Sequence, residues 1–441
     1  MRMIKRCVVA LAATTLGACS LDLQNPNNPT EGQVTSSPDG VIALATGLQG
    51  RFAISYFNYA YMAGLVTDEL ASTSAALISI SDAEQGLVPP NTGIADNVFN
   101  SLYRTVRTAD ELLAGADRLA GSFDVGTRSG LKALAYTMKA EALGEAIQSY
   151  QRVPLNTYNV TAPTYATRAE VLPAIRSLLD SAALSLASTP ASGFFTNSIL
   201  TPGLNLPNLI QIYRARYARL AGDNATALAA ANLVARSGAA ALSTVSYPAP
   251  GVNPWSNVTG GTNGVAPRRQ YRLSMLPQDQ RFAYFAIPST TLSGRVGALL
   301  DPFSTRFAVA NTTQPIYFPD EALLIKAEAL VNTGNLPAAQ AVLDSVRTDC
   351  TGGRGVDDPK ACLPALGGAL SAADLLTEIY TLRWEDARRR TAVRGPVNAP
   401  LAPTDAQRCW LPYANGDRNA NPNVPADPTE PTGYPTGCPL T

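Results

Sequence analysis

The sequence predicts a mostly α-helical protein, and two patterns of residues lead to this fold class. Between residues 41 and 240 the chain is rich in Ala and Leu, and apolar side chains recur with the period of a helix. Residues 130–146 show the i, i+3, i+4, i+7 spacing of an amphipathic helix. The apolar positions of this stretch are Leu131, Leu134, Ala135, Met138 and Ala142. The many alanines on this face allow helices to approach closely.

The second pattern is an internal repeat that relates residues 212–234 to residues 324–346, at an offset of 112. Gly222 aligns with Gly334, and apolar positions on both sides of the two glycines align as well. Each copy predicts a helix, a glycine-centred turn and a second antiparallel helix, which is the unit of tetratricopeptide-like proteins. Chance similarity between two Ala-rich hairpins is the alternative, because the copies are not in tandem.

The first 18 residues have the composition of a lipoprotein signal peptide. Arg2, Lys5 and Arg6 form a basic start, and residues 7–18 are apolar but shorter than the roughly 20 residues that a membrane helix needs. The stretch ends in LGAC, which resembles a bacterial lipobox, so Cys19 is expected to carry lipid. An ordinary secretory signal with a chance cysteine is the alternative. No later stretch is expected to reach membrane-spanning length, so the mature protein is expected to be anchored to the membrane and not to span it.

Composition excludes several classes of function. The 441 residues contain 34 Lys+Arg, 34 Asp+Glu and no histidine, and the charged fraction of 15% is below the usual value of about 25%. A net charge of zero offers no sequence-wide attraction for nucleic acid or an anionic membrane. Without histidine, the chain cannot form Ser-His or Cys-His nucleophile pairs or histidine-ligated metal sites. No cofactor and no metal are expected.

Four cysteines remain in the mature chain if Cys7 leaves with the signal and Cys19 carries lipid. They are Cys350, Cys362, Cys409 and Cys438. In an oxidising compartment these cysteines allow three pairings, of which sequence proximity favours Cys350–Cys362 and Cys409–Cys438. A zinc site of four thiolates is the alternative, although no pair has the CxxC spacing.

Composition also divides the chain into segments. Residues 241–318 form a long insertion that is rich in Pro and Gly and contains short extended runs such as residues 281–287 (RFAYFAI). Such long irregular loops in compact proteins are often functional. The expected organisation is a signal peptide (1–18), a lipidated tether (19–40) and one domain (41–441). Within the domain we expect a helical part (41–240), the loop-rich insertion (241–318), a second helical part (319–392) and a Pro/Asn-rich tail pinned by a disulfide (393–441).

Several short motifs, in the right order along the mature chain, resemble the SusD/RagB family of nutrient-binding outer-membrane lipoproteins. Residues 315–329 (PIYFPDEALLIKAEA), followed by Gly334 and Val346-Arg347, carry the strongest similarity. Weaker matches are residues 26–30 (PNNPT), 36–40 (SSPDG), 67–70 (TDEL), 99–113 (FNSLYRTVRTADELL) and 130–155. The chain departs from the family pattern at Leu382, where the family has an acidic residue.

The resemblance implies a SusD-like helical fold with tetratricopeptide-like hairpins and an irregular loop-rich insertion. It also implies a function: a protein anchored in the outer membrane through Cys19 that binds oligosaccharides or peptides. Such a protein passes its ligand to a SusC-like TonB-dependent β-barrel transporter and does no chemistry on it. In this family the helical hairpins usually face the barrel, and irregular loops form the ligand site. No nucleic-acid partner is expected.

Candidate ligand-binding residues follow from the chemistry of sugar capture, which needs flat aromatic faces and groups that bond hydroxyls. The candidates outside regular helices are Tyr59 (with its neighbours Tyr56 and Tyr61), Asp68, Asn91, Asn97, Trp255, Tyr271, Arg281 and Tyr284. Trp255, in a Gly- and Pro-rich loop, is the foremost candidate. For each of them, ordinary packing or a solvated loop is the alternative.

Two other classes of function compete with capture. A glycoside hydrolase needs only two carboxylates, and the pairs Asp68/Glu69, Glu141/Glu145 and Glu385/Asp386 are available. A helical-repeat scaffold lipoprotein in envelope assembly is the other alternative, although the long aromatic insertion is unusual for one. The run from residue 415 to 423 (NGDRNANPN) lacks the spacing of an EF-hand and is expected to be a loop.

Overall fold

The computed structural model describes residues 31–67, 69–90, 93–247, 252–259, 263–276, 278–350, 356–382 and 410–427. Several sequence predictions lie outside these residues. They are the signal peptide, the lipid site Cys19, the candidates Asp68 and Asn91, the Glu385/Asp386 pair and the cysteines Cys409 and Cys438.

The first half of the chain forms long antiparallel helices. After a short helix α1 (Glu31–Val34), the order is α2 (Pro38–Val66), α3 (Ile78–Glu84), α4 (Gly93–Arg118), α5 (Val125–Ser149) and α6 (Arg168–Ser188). At the start of α2, the Ser37 side chain accepts a hydrogen bond from the Gly40 amide, and Pro38 lies in the first turn. At the start of α5, the Asp124 side chain accepts a hydrogen bond from the Thr127 amide. The helices α2, α4, α5 and α6 pack on one another in sequence order.

Small residues on α5 permit close packing on both of its sides. A Cβ atom at Gly144 would lie 1.8 Å from the Tyr217 hydroxyl, and one at Gly130 would lie 2.4 Å from the Phe195 ring. Both distances are far below van der Waals contact, so only glycine fits at these positions. The amphipathic stretch expected at residues 130–146 is therefore a helix buried on nearly every side.

The two copies of the internal repeat are helical hairpins. They consist of α7 (Leu206–Leu220) with α8 (Asn224–Leu233), and of α13 (Pro319–Asn332) with α14 (Leu336–Arg347). Gly222 and Gly334 lie in the left-handed region, with φ of 75° and 82°, and end the first helix of each hairpin. The next helix is capped by Asp223 in one copy and by Asn335 in the other. Helix α8 packs on α13, so the two hairpins are adjacent.

A buried ion-pair network joins the first helices to both hairpins. Arg216 on α7 donates to Glu141 on α5 at 2.6 Å and makes two hydrogen bonds of 2.9 Å to Glu321 on α13. The Tyr217 hydroxyl also donates to Glu141, at 2.6 Å. Because the charges lie away from water, removal of one partner would leave an uncompensated buried charge. The network therefore fixes how α5, α7 and α13 are placed relative to one another.

The insertion consists of short elements. Its helices are α9 (Pro254–Val258), α10 (Gln270–Ser274), α11 (Phe282–Phe285) and α12 (Thr305–Ala308). Three antiparallel two-stranded sheets are present among the described residues: β1 (Leu70–Ser72) with β5 (Val265–Pro267), β2 (Arg152–Pro154) with β3 (Tyr165–Thr167), and β4 (Thr244–Val245) with β6 (Gln314–Pro315). The prediction of an extended run at residues 281–287 is wrong, because α11 forms a helical turn there. The β1–β5 pair ties the insertion to the end of α2.

Cys350 and Cys362 form the disulfide that sequence proximity favours, with their Cα atoms 4.5 Å apart. The second predicted disulfide stays a prediction. After the disulfide loop comes α15 (Ala372–Leu382).

Residues 410–427 return to the first helices as a C-terminal segment. The Tyr413 hydroxyl bonds the backbone of Arg152 at 3.0 Å, and the Leu411 amide donates to the Ser149 carbonyl at 2.8 Å. The expectation of a loop after residue 415 is partly wrong, because Asn415–Ala420 is a short helix, α16. This segment covers the end of α5.

One helix in the described part of the chain, α6, has the length and apolar composition of a membrane span. This differs from the expectation that no later stretch reaches that length. One face of α6 packs in the main hydrophobic core, where Val171, Ile175 and Leu179 are completely buried.

Candidate ligand-binding site

The insertion and its neighbouring segments bring together a group of aromatic rings. We call this group the aromatic cluster and define it as the side chains of Phe57, Trp255, Tyr284, Phe285, Phe303, Phe307 and Phe318. Phe57 lies on α2, and Phe318 directly precedes α13. Each ring contacts at least one other ring of the group, so the cluster is continuous from α2 to the second hairpin.

The buried end of the aromatic cluster rests on α2. The Trp255 ring meets Phe57 edge-on, with the ring centroids 5.1 Å apart, and meets Phe303 at 5.6 Å. Asn253 caps α9 by accepting from the Trp255 amide, which fixes the start of this helix. Trp255 is only 9% exposed. This end of the cluster is therefore part of the hydrophobic core.

The other end of the cluster is half-buried. Phe285 stacks on Phe307 with 6.2 Å between ring centroids and packs against Tyr284 at 5.0 Å. Phe318 meets the Tyr284 ring edge-on at 5.5 Å. These four side chains are only partly covered by the rest of the chain. The insertion thus presents aromatic surface to solvent beside the second hairpin.

A charged pair lies at the edge of this aromatic surface. The Arg306 guanidinium lies 4.3 Å from the Tyr284 ring centroid and donates to both carboxylate oxygens of Asp357, at 2.5 and 2.8 Å. The Tyr284 hydroxyl donates to the Asp357 carbonyl at 3.4 Å. Aromatic faces with a few polar groups at their edge can bind a ligand that is apolar on its faces and polar at its rim.

The sequence-predicted site residues are only partly brought together. Trp255 and Tyr284 both belong to the aromatic cluster, at its opposite ends. Tyr59 and Tyr271 are buried and are not members of the cluster. Arg281 is 1% exposed, and its guanidinium donates to Asp279 at 2.5 Å and to the Leu382 carbonyl at 2.7 Å. Burial favours the packing alternative for Trp255, Tyr59, Tyr271 and Arg281.

Asn97 is exposed on α4, where its backbone carbonyl accepts from the Asn58 side chain at 3.5 Å. Its role in ligand binding stays a prediction, as do those of Asp68 and Asn91, which lie outside the described residues.

The sequence prediction missed the phenylalanines of the cluster together with Arg306 and Asp357, because it considered only Trp and Tyr as stacking residues. The run at residues 281–287, with two Phe and one Tyr, is the signal that indicates part of the cluster. Arg306 and Asp357 are 51 residues apart in sequence, so no local pattern relates them.

The carboxylate pair Glu141/Glu145 is not placed for hydrolysis. Glu141 is buried and bonded to Arg216 and Tyr217. Burial, followed by the nearby charge of Glu141, raises the pKa of Glu145 well above its usual range. A substrate cannot reach either group without opening the helical core. Glu69, the described member of a second pair, is also buried.

One group of acidic residues has the spacing of metal ligands. Carboxylate oxygens of Asp320, Asp349 and Asp358 lie within 4.8 Å of one another, and all three residues are buried. Lys360 forms ion pairs with Asp349, at 2.9 Å, and with Asp358. The lysine ammonium therefore already supplies a positive charge to this cluster.

Solved structures, among them proteins of the SusD superfamily, share this fold. A SusD superfamily protein from Parabacteroides distasonis aligns with a TM-score of 0.66 at 13% identity, over 90% of this chain and 100% of that one. NanU of B. fragilis aligns with a TM-score of 0.66 at 12% identity, over 93% and 100%. A protein from Bacteroides vulgatus that is described as sugar-binding aligns with a TM-score of 0.67 at 15% identity, over 89% and 98%.

These alignments confirm the mostly α-helical, SusD-like fold that the sequence motifs implied. No protein-family model matches the sequence, and no curated protein matches it either. At such low identity the similarity establishes the fold alone.

Proposed function

We propose that this protein binds oligosaccharide or peptide nutrients at the aromatic cluster and delivers them, without catalysis, to a TonB-dependent β-barrel transporter. The SusD-like fold supports the proposal, and one structural neighbour is described as sugar-binding. Oligosaccharide is the favoured ligand class, because a sugar ring is apolar on its faces and carries hydroxyls at its edge.

The half-buried end of the aromatic cluster is the observation that carries this proposal. Tyr284, Phe285, Phe307 and Phe318 form aromatic surface on the insertion, with Arg306 and Asp357 at its edge. Stacking against these rings would bind a sugar face, and the charged edge would bond its hydroxyls. Burial of this aromatic surface against a ligand would offset the translational and rotational entropy that the ligand loses on binding.

The anchor and the transporter complete the proposal. A lipid on Cys19 would hold the protein at the outer membrane, beside the proposed barrel partner. The lipobox motif supports this placement. Replacing Cys19 by Ala should release the protein into the soluble fraction, and co-purification with a large outer-membrane barrel should depend on the intact chain.

Substitution of Tyr284 tests the site. Tyr284→Ala should weaken binding of the tightest-binding oligosaccharide about two- to thirteenfold, because one stacking ring contributes roughly 0.5–1.5 kcal/mol. Affinity electrophoresis and calorimetry with the mature chain would measure the change. Phe194→Ala removes another exposed ring, 51% accessible and outside the cluster, and should leave affinity unchanged. Equal affinity of the Tyr284 variant and the wild type would exclude the cluster as the binding site.

A further inference from the structure

The disulfide closes a loop whose base is fixed to the second hairpin. Cys350 and Cys362 lie just after α14, and the Cys362 amide donates to the Asp349 carbonyl at 3.0 Å. The next amide, that of Leu363, donates to the Arg347 carbonyl at 2.6 Å. Lys360 joins the two sides of the loop through its ion pairs with Asp349 and Asp358. The base of the loop therefore has a defined position on the helical core.

Asp357 extends from this loop to the aromatic cluster. Its carboxylate accepts two hydrogen bonds from Arg306, and its carbonyl accepts one from the Tyr284 hydroxyl. A bidentate pair fixes the plane of a guanidinium as well as its position. The plane matters here because the same guanidinium lies over the Tyr284 ring. One loop residue thus contacts both groups at the edge of the proposed site.

The pair is too exposed to hold this geometry by charge attraction alone. The side chains of Arg306 and Asp357 are 33% and 65% exposed. Exposed ion pairs are weak, because water screens the charges and ordering two side chains costs entropy. The next residue, Asp358, is buried and ion-paired with Lys360, which restrains the backbone at Asp357 and reduces that entropy cost. The position of Arg306 therefore depends on the disulfide loop.

We propose that Asp357 is a positioning residue of the ligand site, held by the Cys350–Cys362 disulfide, and that it keeps Arg306 over Tyr284. The inference rests on the proposed function for its effect on binding. The structural part of the inference, which is the coupling of the disulfide to the Arg306–Tyr284 contact, is independent of the proposed function. Reduction of the disulfide would then weaken ligand binding through a residue that lies outside the disulfide itself.

Two variants of the full mature chain test the coupling without a ligand. Asp357→Asn and the double variant Cys350→Ser/Cys362→Ser should both increase amide hydrogen exchange of the segments 282–286 and 304–308, measured by mass spectrometry. Asp357→Glu should keep exchange close to the wild-type level. Asp180→Asn is the matched control, because Asp180 forms a similarly exposed pair with Arg214 on the helical surface. Unchanged exchange in Asp357→Asn would overturn the inference.

Binding to a panel of neutral oligosaccharides is the second readout. Asp357→Asn and the double cysteine variant should weaken binding about three- to fivefold, the range of one exposed ion pair with its ring contact. Asp180→Asn should bind like the wild type. If the wild type binds a panel member and Asp357→Asn binds it with the same affinity, the inference is overturned. If the wild type binds no panel member, the proposed function fails, and the exchange experiment still decides on the coupling.

Discussion

Trp255 illustrates at the residue scale how burial changes the meaning of a side chain. From sequence, a tryptophan in a Gly- and Pro-rich loop predicts an exposed stacking surface. In the structure the ring contacts Phe57, Phe303 and Phe307 and is nearly covered. Trp255 lies on the short helix α9, and its side chain anchors this helix to α2 on the buried side of the aromatic surface.

Trp255→Ala should therefore lower the free energy of unfolding. Loss of a buried tryptophan costs about 3–5 kcal/mol, because the surrounding rings cannot fill the cavity completely. Urea denaturation of the mature chain measures the loss, and Trp255→Phe should retain part of the stability. A Trp255→Ala variant with wild-type stability but weak ligand binding would instead support the sequence-based prediction of an exposed stacking residue.

Asp417 is a second residue whose environment matters, because burial changes the pKa of its carboxyl group. Burial, followed by the nearby charge of Asp96, raises the pKa of Asp417 to about 6 from 3.8. One oxygen of each carboxylate is buried and has no hydrogen-bond partner in the described part of the chain. Asp417 lies on α16, in the C-terminal segment that covers the end of α5. Ionisation of this carboxyl therefore opposes docking of the segment.

The pH dependence of stability follows from the sign of this shift. Between pH 3.8 and about 6 the folded chain binds more protons than the unfolded one, so this contribution to stability falls as the pH rises across that range and is lost above it. Asp417→Asn should stabilise the protein at pH 7.5 by about 1 kcal/mol, after a discount for solvent screening, and should not do so at pH 4.

Urea unfolding at both pH values measures this effect. Asp96→Asn is a second variant, which removes the neighbouring charge and leaves Asp417 in place. Both variants should flatten the pH dependence between 4 and 6. An Asp417→Asn variant that is no more stable than the wild type at pH 7.5 would contradict the explanation.

At the element scale, the sequence predicted the hairpins well and the insertion poorly. Residues 212–234 and 324–346 carry the whole signal of a hairpin, namely apolar periodicity and a glycine at the turn. These features are local, so they can be read without the structure. The segment 281–287 lacks such a signal, and the contacts of its helical turn come from other parts of the insertion: Phe285 packs on Phe307, and Arg272 lies over the Phe282 ring.

The ion-pair network shows the same limit for charged residues. Glu141 and Glu145 are an i, i+4 pair in the sequence, and in the structure Glu141 is buried and bonded to Arg216 and Tyr217. These partners lie 75 and 76 residues away along the chain, so no spacing rule relates them. Contacts between distant segments therefore decide which polar residues serve packing and which serve a site.

At the scale of the whole molecule, a single SusD-like fold positions the aromatic cluster between the insertion and the second hairpin. The order of weak motifs sufficed to predict the fold, because a fold depends on many positions at once. The proposed ligand site depends on a few side chains, and most of those lie in segments without periodicity. The sequence therefore points to the same insertion as the proposed site but favours Trp255 over the phenylalanines.

The central claim is tested most directly by equilibrium binding of the soluble chain without the lipid site, residues 20–441, to a panel of oligosaccharides and peptides. The bound ligand is then recovered and analysed. We expect saturable binding of at least one oligosaccharide, with the ligand recovered intact and no new reducing ends. Binding to no member of the panel, or cleavage of the bound ligand, would contradict a capture function.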